Sequence, residues 1–471
     1  MTTRSIHWFR EDLRLSDNPS LFEACKSGHV IPIYIHDNCS TPELGKVSRW
    51  WLHHSLAKLD KSLDGKLGIF TGDTTDILMQ VITQYGVHKV FWNKVYSPEQ
   101  FDLDVQVISL LSEKNILYET YNASLMWEPS QILNQSDLPY KVFTPFFKKG
   151  CLSAPEPRYP LGLPDLKMID DVPQVPPSKS LDLVGENDLN RTLGSYWSVG
   201  EDNAVSQLNM FITRGLDNYK IGRDFPSLFN VSKLSPYLHF GEISPNQVWY
   251  TVLKSNKEFG MDADKFLSEL AWREFSYYLL YHFPSLPQEN LQSRFNYFPW
   301  ESNTENLVKW QAGITGYPIV DAGMRELMET GYMHNRLRMI VGSFLIKNLL
   351  IHWHHGRDWF WNHLADADIA NNSAGWQWIA GCGADAAPFF RVFNPILQGK
   401  KFDPDGAYTK TYIPELQNLP AEYLFNPWEA PQNILDQSGI ILGKDYPLPI
   451  VDLKMSRIRA LKAFDHIKID K

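Results

Sequence analysis

Short apolar runs and helically spaced apolar positions alternate along the first 130 residues. Apolar runs bounded by turn residues predict strands, and these lie at positions 6–9, 30–36, 68–71, 89–93 and 117–121. Apolar residues at intervals of three and four predict helices between the strands, one beginning near position 21 and others covering 49–63, 75–85 and 99–114. Strands that alternate with helices are typical of a parallel sheet with crossover helices. We therefore predict an α/β Rossmann-like domain over residues 1–130.

The stretch from 131 to 199 follows neither pattern and is polar and rich in proline. Its prolines include Pro155, Pro157, Pro160, Pro164, Pro173, Pro176 and Pro177. Because clusters of this kind are typical of loops and linkers, we predict a long connector between two domains.

Helical spacing returns at residue 200 and dominates the rest of the chain. The predicted helices cover 201–214, 244–254, 263–281, 304–312, 320–330, 333–351, 357–364 and 454–464. We therefore predict an all-α domain over residues 200–471, in which ligand clefts lie between helices.

Charge and cysteine usage narrow the function classes. A net charge of -9 excludes the overall basic surface of many nucleic-acid-binding proteins, so any DNA contact must come from a local patch. The four cysteines, Cys25, Cys39, Cys151 and Cys382, lack the paired spacing of a zinc site or a disulfide framework.

No G-x-G-x-x-G motif follows the first strand, so a nicotinamide cofactor is not indicated. Neither a signal-peptide pattern nor an apolar run of about 18 residues is found, and we expect a cytoplasmic protein.

The segment 366–378 concentrates polar and aromatic groups, including Asp366, Asp368, Trp376 and Trp378. The two aspartates are compatible with a solvated turn or with half of a metal site, and the tryptophans with core packing. A metal site would need further oxygen or nitrogen ligands nearby, and none is obvious. The heavy aromatic content, with 16 Trp, 21 Tyr and 26 Phe, fits a protein that stacks planar ligands or moves electrons, although a large helical core also consumes aromatics.

One helical face in the predicted helix 263–281 has unusual chemistry. Glu269, Trp272 and Arg273 lie at i, i+3 and i+4 and so share one side of the helix. This combination suits an aromatic ligand that forms hydrogen bonds and carries negative charge. A tryptophan packed on its own helix beside a surface ion pair would give the same pattern.

A second polar face lies in the predicted helix 333–351, where Asn335, Arg338 and Met339 share one side. A buried arginine needs a carboxylate partner. Asp366 or Asp368 could supply it.

Seven motifs in family order resemble the photolyase and cryptochrome family, and together they span essentially the whole chain. They lie at 7–18, 142–146, 234–244, 272–275, 315–322, 333–339 and 366–378. The chain is most similar to bacterial photolyases of class I or class III that act on cyclobutane pyrimidine dimers. The resemblance implies a deoxyribodipyrimidine photo-lyase, a light-dependent enzyme that splits these dimers in DNA.

The resemblance also implies an FAD site in the helical domain. The matching positions are Tyr219, Val231, Ser232, Lys233, Leu234, Ser235, Arg273, Asn335, Arg338, Asp366, Asp368 and Asn372. Serine hydroxyls and backbone N–H groups before Ser235 suit a pyrophosphate, whereas Val231 replaces a threonine that relatives often carry. Asn372 matches the position facing flavin N5. Its amide can form a hydrogen bond there but cannot donate a proton, which favours an anionic reduced flavin.

The implied lesion-binding residues are Glu269, Trp272, Asn335, Arg336, Met339 and Trp378. In the family, an electron passes from light-excited reduced FAD to a dimer that has been flipped out of the duplex. Glu269 would bind the dimer carbonyls and stabilise the charge that develops on them. Trp300, Trp353 and Trp376 match the tryptophans through which the flavin is photoreduced, with Trp376 nearest the ring and Trp300 at the surface.

The implied partner is DNA, bound by a monomer through a local basic patch that includes Arg336, Arg391, Lys400 and Lys401. A second, light-harvesting cofactor is implied for the α/β domain. We expect methenyltetrahydrofolate, because the segment 48–52 resembles that of class III photolyases. A deazaflavin is the alternative, because Gln100 replaces the glutamate that binds folate in class I photolyases.

Two functional alternatives remain within the family. A signalling cryptochrome is disfavoured by Asn372, since plant cryptochromes carry aspartate there. A (6-4) photolyase is disfavoured by Met339, where those enzymes have histidine.

Overall fold

The fold is described from a computed structural model covering residues 3–37, 43–169, 183 and 188–468. Cys39, Pro173, Pro176 and Pro177, which entered the predictions above, lie outside the described residues. The other three cysteines are buried, and none of them forms a disulfide.

Five strands form one parallel sheet at the start of the chain. They are β1 (Arg4–Phe9), β2 (His29–His36), β3 (Gly68–Thr71), β4 (Lys89–Asn93) and β5 (Leu117–Tyr121). The strand order is β3-β2-β1-β4-β5, and every neighbouring pair is parallel. Ile6 of β1 lies opposite Ile31 and Val90, and all three side chains are buried. The predicted parallel α/β domain is therefore confirmed.

Helices follow the strands of this sheet at Pro19–Ser27, Lys46–Ser62, Thr74–Tyr85 and Pro98–Glu113. The first of them begins with a proline, and the Asn18 side chain accepts a hydrogen bond from the Leu21 N–H. Proline at the first helical position and asparagine as the cap together fix this start.

A buried polar network lies at the carboxyl ends of β1 and β4. Asn93, the last residue of β4, donates from Nδ2 to Asp12 Oδ2 at 2.6 Å and to Asn18 Oδ1 at 2.7 Å. Asn18 Nδ2 donates to the same Asp12 oxygen at 3.1 Å. All three side chains are almost fully buried, so the network joins both strands to the loop that follows β1.

The described part of the connector keeps close to the α/β domain. Short helical turns occur at Pro129–Gln131, Phe143–Pro145, Phe146–Gly150 and Cys151–Ser153. Residues 154–167 form no helix or strand. Leu161 exchanges hydrogen bonds with Asp17, donating to the carboxylate at 2.8 Å and accepting from the backbone N–H at 3.1 Å.

The rest of the described chain is helical, which confirms the predicted helical C-terminal domain. The longer helices are Glu201–Arg214, Pro245–Phe259, Met261–His282, Thr304–Gln311, Pro318–Thr330, Asn335–Ser343, Trp353–His363, Ile369–Ala380, Pro395–Phe402 and Leu453–His466. A further helix, Asp188–Tyr196, lies within the predicted connector, where the sequence pattern did not indicate it. Shorter helical segments lie at Tyr219–Gly222, Ser235–His239, Ser293–Tyr297, Phe344–Asn348, Ala407–Tyr412, Pro414–Leu416, Ala421–Leu424, Pro427–Glu429 and Gln432–Ser438. Among the described residues, none of the helices has both the length and the apolar character needed to cross a bilayer.

The predicted helix 333–351 is divided in the structure. It begins at Asn335 because the His334 side chain caps it by accepting from the Arg336 N–H. After Ser343 the winding widens to a π-helical segment at Phe344–Asn348. An apolar pattern does not distinguish α from π winding, so sequence spacing alone extended the helix too far.

Contacts between residues group the chain into two compact units. One contains Met1–Asp217, Ser232–Pro284 and Ala365–Ala370, and the other contains Asn218–Val231, Ser285–Leu364 and Asn371–Lys471. The sequence ranges 1–130, 131–199 and 200–471 remain predictions, and the site is described below unit by unit.

Candidate functional site

The first unit carries the Glu269, Trp272 and Arg273 face on helix Met261–His282. The Glu269 carboxylate pairs with the Lys265 ammonium one helical turn earlier, at 2.7 Å. The Trp272 ring stacks on Phe143 with a centroid separation of 3.9 Å and an interplanar angle of 10°. The Glu269 and Trp272 side chains are only partly buried. An acid and an aromatic ring that is stacked on a second ring therefore lie together within reach of solvent.

Arg273 turns toward the α/β part of the same unit. Its Nη1 donates to the Ser124 carbonyl at 2.8 Å, and its guanidinium lies 4.7 Å from the Tyr277 ring centroid. Burial raises the pKa of the nearby Glu11 carboxyl to about 7, and the Asp368 carboxylate adds to this while the cations of Arg10 and Arg273 oppose it. Arg273 therefore lies among acids that include Asp368.

Ser235 and Asp366 are in direct contact, because the Ser235 hydroxyl donates to the Asp366 carboxylate. Asp366 and Asp368 are each 7% exposed, and the Asp368 N–H donates to the Asp366 carbonyl at 2.9 Å. Just before Ser235 the chain turns sharply: Lys233 has a φ of 51°, and the Ser232 carbonyl accepts from Gln207 Nε2 at 2.8 Å. The structure thus brings together the predicted serine segment and the predicted aspartates.

His239 lies near these aspartates, and sequence reasoning did not find it. Its side chain is 7% exposed, and both of its ring nitrogens lack a hydrogen-bond partner among the described residues. Burial lowers its pKa, opposed by the Asp368 and Asp366 carboxylates. A neutral imidazole able to donate and accept therefore lies beside the two acids.

The second unit carries the face around helix Asn335–Ser343. Asn335 is exposed at the first position of that helix. Arg336 pairs with Asp224 at 2.6 Å, and its guanidinium lies 4.2 Å from the Phe402 ring centroid. Arg336 Nη1 also lies 3.8 Å from the Met339 sulfur. These contacts hold Arg336 and Met339 together on one partly buried surface.

Arg338 donates from Nε to the Met333 carbonyl at 2.8 Å. The pairing of Arg338 with Asp366 that the sequence suggested stays a prediction. Two further positions implied for FAD in this unit are Tyr219 and Val231. Tyr219 is buried, with the Arg223 guanidinium 5.5 Å from its ring centroid, and Val231 is partly buried.

Asn372 lies in the first turn of helix Ile369–Ala380 and is 9% exposed. Its Nδ2 donates to the Arg357 carbonyl at 3.0 Å. Because a carbonyl can only accept, this contact fixes which way the amide points. Among the described residues, no other hydrogen bond uses the second N–H or the Oδ1 of Asn372.

The three predicted relay tryptophans differ in burial. Trp376 and Trp353 are 2% and 0% exposed, whereas Trp300 is only partly buried. The His352 ring lies between two of them, with centroids 5.0 Å from Trp300 and 5.7 Å from Trp353. Trp300 is therefore the one of the three that reaches the surface, and the relay and its order stay a prediction.

Gly356 makes room for Trp376. A Cβ at this position would lie 2.5 Å from Cζ2 of the Trp376 ring and closer still to Cζ3 and Cη2. Gly356 belongs to helix Trp353–His363, so the ring of Trp376 packs against the first turn of the helix that Trp353 begins. No local sequence signal marked this glycine.

Trp378 is partly buried, and its carbonyl accepts from the Ala387 N–H at 3.1 Å. Arg391, Lys400 and Lys401, predicted for a DNA-binding patch, are exposed. Within the described ranges, no three His, Cys, Asp or Glu side chains are grouped so that they could hold a metal ion.

Comparison with known proteins identifies two domain matches in the chain. Residues 5–162 match the DNA photolyase domain, and residues 266–466 match the FAD binding domain of DNA photolyase. The deoxyribodipyrimidine photo-lyase of Agrobacterium fabrum is 44% identical over 99% of this chain and 98% of its own length. Cryptochrome-2 of Arabidopsis thaliana is 38% identical over 99% of this chain and 80% of its own length.

Solved structures show the same relationship. A bacterial class III photolyase from Agrobacterium tumefaciens superposes with a TM-score of 0.96 at 43% identity, covering 99% of this chain and 98% of its own. A cryptochrome from Synechocystis superposes with a TM-score of 0.88 at 28% identity, covering 98% of this chain and 99% of its own. With matches over nearly its whole length, the chain belongs to the photolyase and cryptochrome family.

Proposed function

We propose that this protein repairs cyclobutane pyrimidine dimers in DNA, using blue light and bound FAD. The observation that carries the proposal is the surface on helix Met261–His282, where the partly exposed Glu269 carboxylate lies one turn from a Trp272 ring stacked on Phe143. A flipped-out dimer is apolar on its faces and has carbonyls along its edges. It therefore needs both an aromatic wall and a hydrogen-bonding group.

The residues fit FAD as the cofactor. We assign to it Tyr219, Val231, Ser232, Lys233, Leu234, Ser235, Arg273, Asn335, Arg338, Asp366, Asp368 and Asn372. Serine hydroxyls, arginine guanidinium groups and backbone N–H groups suit phosphates, and the unpartnered ring nitrogens of His239 show that polar capacity remains beside the aspartates. When bound and reduced, FAD supplies a photoexcited electron to the lesion.

Asn372 is assigned to flavin N5. With Nδ2 held by the Arg357 carbonyl at 3.0 Å, its amide presents a fixed hydrogen-bonding group and no transferable proton. Asn372 would therefore stabilise an anionic reduced flavin, the form that repair requires.

The lesion is assigned to Glu269, Trp272, Asn335, Arg336, Met339 and Trp378. Glu269 hydrogen-bonds the dimer carbonyls and stabilises the negative charge that develops on them. Its ion pair with Lys265 is a partly exposed i,i+4 pair, and surface pairs of this kind contribute only about 0.3–0.5 kcal/mol. Binding of the dimer can therefore replace it at small cost.

The test is to irradiate the chemically reduced protein with blue light together with an oligonucleotide containing one cyclobutane dimer. Recovery of intact thymines is expected under light, with none in the dark. A second oligonucleotide with a (6-4) lesion separates the two repair activities, and failure to repair either lesion would favour the photoreceptor function that the cryptochrome relatives suggest.

Substitution of Glu269 by alanine should lower the repair yield per bound lesion more than it lowers DNA affinity. The matched control is Glu305→Ala, which removes the acid of another exposed i,i+4 ion pair, with Lys309 at 2.6 Å. Equal losses of yield and affinity in Glu269→Ala would contradict the assigned role.

For the light-harvesting cofactor, we propose methenyltetrahydrofolate, with a deazaflavin as the alternative. In the structure the Gln100 side chain contacts the Arg10 guanidinium, which also pairs with Asp104. Reconstitution of the purified protein with each pigment, followed by its absorption spectrum, tests this assignment.

A further inference from the structure

The surface around Trp300 carries a concentration of positive charge. Trp300 follows the helical turn Ser293–Tyr297, and helix Leu453–His466 packs against this segment. The Phe464 and Phe295 ring centroids are 6.0 Å apart, and Arg459 pairs with Glu301, the residue after Trp300, at 3.0 Å. The two segments therefore form one continuous surface.

This surface is cationic in a protein that is acidic as a whole. Residues 293–301 and 453–468 contain six Lys and Arg, namely Arg294, Lys454, Arg457, Arg459, Lys462 and Lys468, against two carboxylates, Glu301 and Asp465. Glu301 pairs with Arg459, and Asp465 pairs with Lys468 at 2.8 Å. The total charge of the chain is -9, so this positive surface is local.

Three of the cations are free to act on solutes. Lys454, Arg457 and Lys462 are exposed on the outer face of the last helix, and they form no ion pair with any described residue. The Arg294 guanidinium is exposed as well and lies 5.4 Å from the Phe295 ring centroid. We call Arg294 and the cations of the packed helix, Lys454, Arg457, Arg459 and Lys462, the Trp300 cationic surface.

Trp300 itself is suited to exchanging electrons with a solute. Its ring is partly exposed, and its Nε1 is buried without a hydrogen-bond partner among the described residues. If the Trp300 indole is oxidised, no hydrogen-bonded neighbour among the described residues can take its proton. The oxidised ring therefore returns to its neutral form by accepting an electron. Tyr297, three residues before Trp300, is 80% exposed, which leaves the approach to the segment open.

We infer that the Trp300 cationic surface is a docking site for a small anionic one-electron donor of the enediolate class, with ascorbate as the probe. The inference rests on the proposed function, in which Trp300 is the last member of the electron relay. One electron passes from the ascorbate monoanion to the oxidised indole, which returns to its neutral form. The donor becomes a neutral radical and releases its proton to water.

The charge of the donor is the testable part. A unit charge about 7 Å from a monoanion in water changes the local concentration of that anion by a factor of about 2.5. Reversing two cations changes the local charge by four, so we expect photoreduction by ascorbate to slow by about fortyfold at low salt. The difference should shrink at about 1 M salt, where charges are screened within about 3 Å.

The variant is the double substitution Arg457→Glu with Lys462→Glu, because neither residue belongs to the assigned flavin or lesion site. The matched control is Lys61→Glu with Lys114→Glu, two exposed lysines of the α/β domain, which changes net charge by the same amount. The neutral donor dithiothreitol serves as a second control. Only the first variant with ascorbate should be slow.

A second readout does not depend on the flavin. Trp300 emission, taken as the difference between the wild type and Trp300→Phe, should be quenched by iodide more strongly in the wild type than in the charge-reversed variant. Quenching by neutral acrylamide should be equal in both.

The outcomes are distinguishable. Equal iodide quenching, or equal photoreduction by ascorbate, overturns the docking inference while leaving the relay intact. Absence of photoreduction with every donor would instead contradict the relay of the proposed function, and the iodide result would still decide the docking inference. Weaker binding of lesion DNA by the charge-reversed variant would assign the surface to DNA and overturn the inference.

Discussion

Substitution of Gly356 by alanine should force the Trp376 ring from its position. The added Cβ would lie 2.5 Å from Cζ2 of that ring, well inside van der Waals contact. Trp376 is 2% exposed, with the Phe360 and Trp310 ring centroids at 4.9 and 6.2 Å. Relief of the overlap therefore has to displace buried neighbours.

The expected magnitude follows from two opposing effects. Alanine is more favourable than glycine inside a helix by about 1 kcal/mol, whereas overpacking a core costs about 1–3 kcal/mol. Gly356→Ala should therefore lower the free energy of unfolding by up to about 2 kcal/mol. At Gly375, in helix Ile369–Ala380, an added Cβ meets no atom within 4 Å, so Gly375→Ala should raise stability by about 1 kcal/mol.

The assay compares midpoints of denaturant unfolding for Gly356→Ala, Gly375→Ala and the double substitution of Gly356→Ala with Trp376→Phe. The smaller phenylalanine ring leaves room for the new methyl group. The double variant should therefore lose less free energy of unfolding than the sum of the losses in Gly356→Ala and Trp376→Phe. The flavin photoreduction rate of Gly356→Ala should also fall, because the ring assigned nearest the flavin has moved. If Gly356→Ala stabilises the protein as much as Gly375→Ala does, the described packing of Trp376 is wrong.

Three further predictions test other parts of the protein. Trp376→Phe should reduce poorly under blue light yet repair dimers almost normally once its flavin has been reduced chemically; photoreduction at the wild-type rate would contradict the assigned relay. Glu242 is fully buried, and burial raises its pKa from 4.5 to about 8 although the Trp51 indole donates to it. Because the unfolded chain releases this proton from about pH 4.5 and the folded protein holds it up to about pH 8, stability should fall as pH rises through that window, by at most about 1.4 kcal/mol per unit. In Glu242→Gln this fall, measured by denaturant unfolding from pH 5 to 8, should be reduced, and an unchanged slope would exclude Glu242 as its source. Replacing Lys400 and Lys401 by alanine should weaken DNA binding and flatten the plot of log affinity against log salt by about 0.9 per lost phosphate contact; an unchanged slope would remove them from the DNA surface.

Local patterns predicted the elements well wherever one periodicity dominated. The bounds of β3, β4 and β5 and of helix Glu201–Arg214 agree residue for residue with the sequence prediction. The helix Ile369–Ala380 was not predicted, because carboxylates, amides and indoles crowd the same short stretch and obscure the helical period.

Long-range partners could not be predicted in this way. The stacking of Trp272 on Phe143 joins residues more than a hundred positions apart, as does the pairing of Arg336 with Asp224. The sequence indicated that such side chains needed partners, because buried or half-buried polar groups rarely lack them. Which partner is used depends on the tertiary fold.

The buried network of Asp12, Asn18 and Asn93 has a consequence for the α/β domain. In the order β3-β2-β1-β4-β5, chain connections run in opposite directions from β1 and β4, which makes the gap between these strands the topological switch point, where sheets of this kind usually bind nucleotides in a crevice at their carboxyl ends. Here the Asp12, Asn18 and Asn93 side chains lie at the carboxyl ends of these two strands and bond to one another, Asn93 donating to Asp12 at 2.6 Å. Breaking this network would leave buried polar groups unpaired, at about 1–3 kcal/mol each. The domain thus has the strand order of a nucleotide-binding fold, while the polar side chains at its switch point already bind each other.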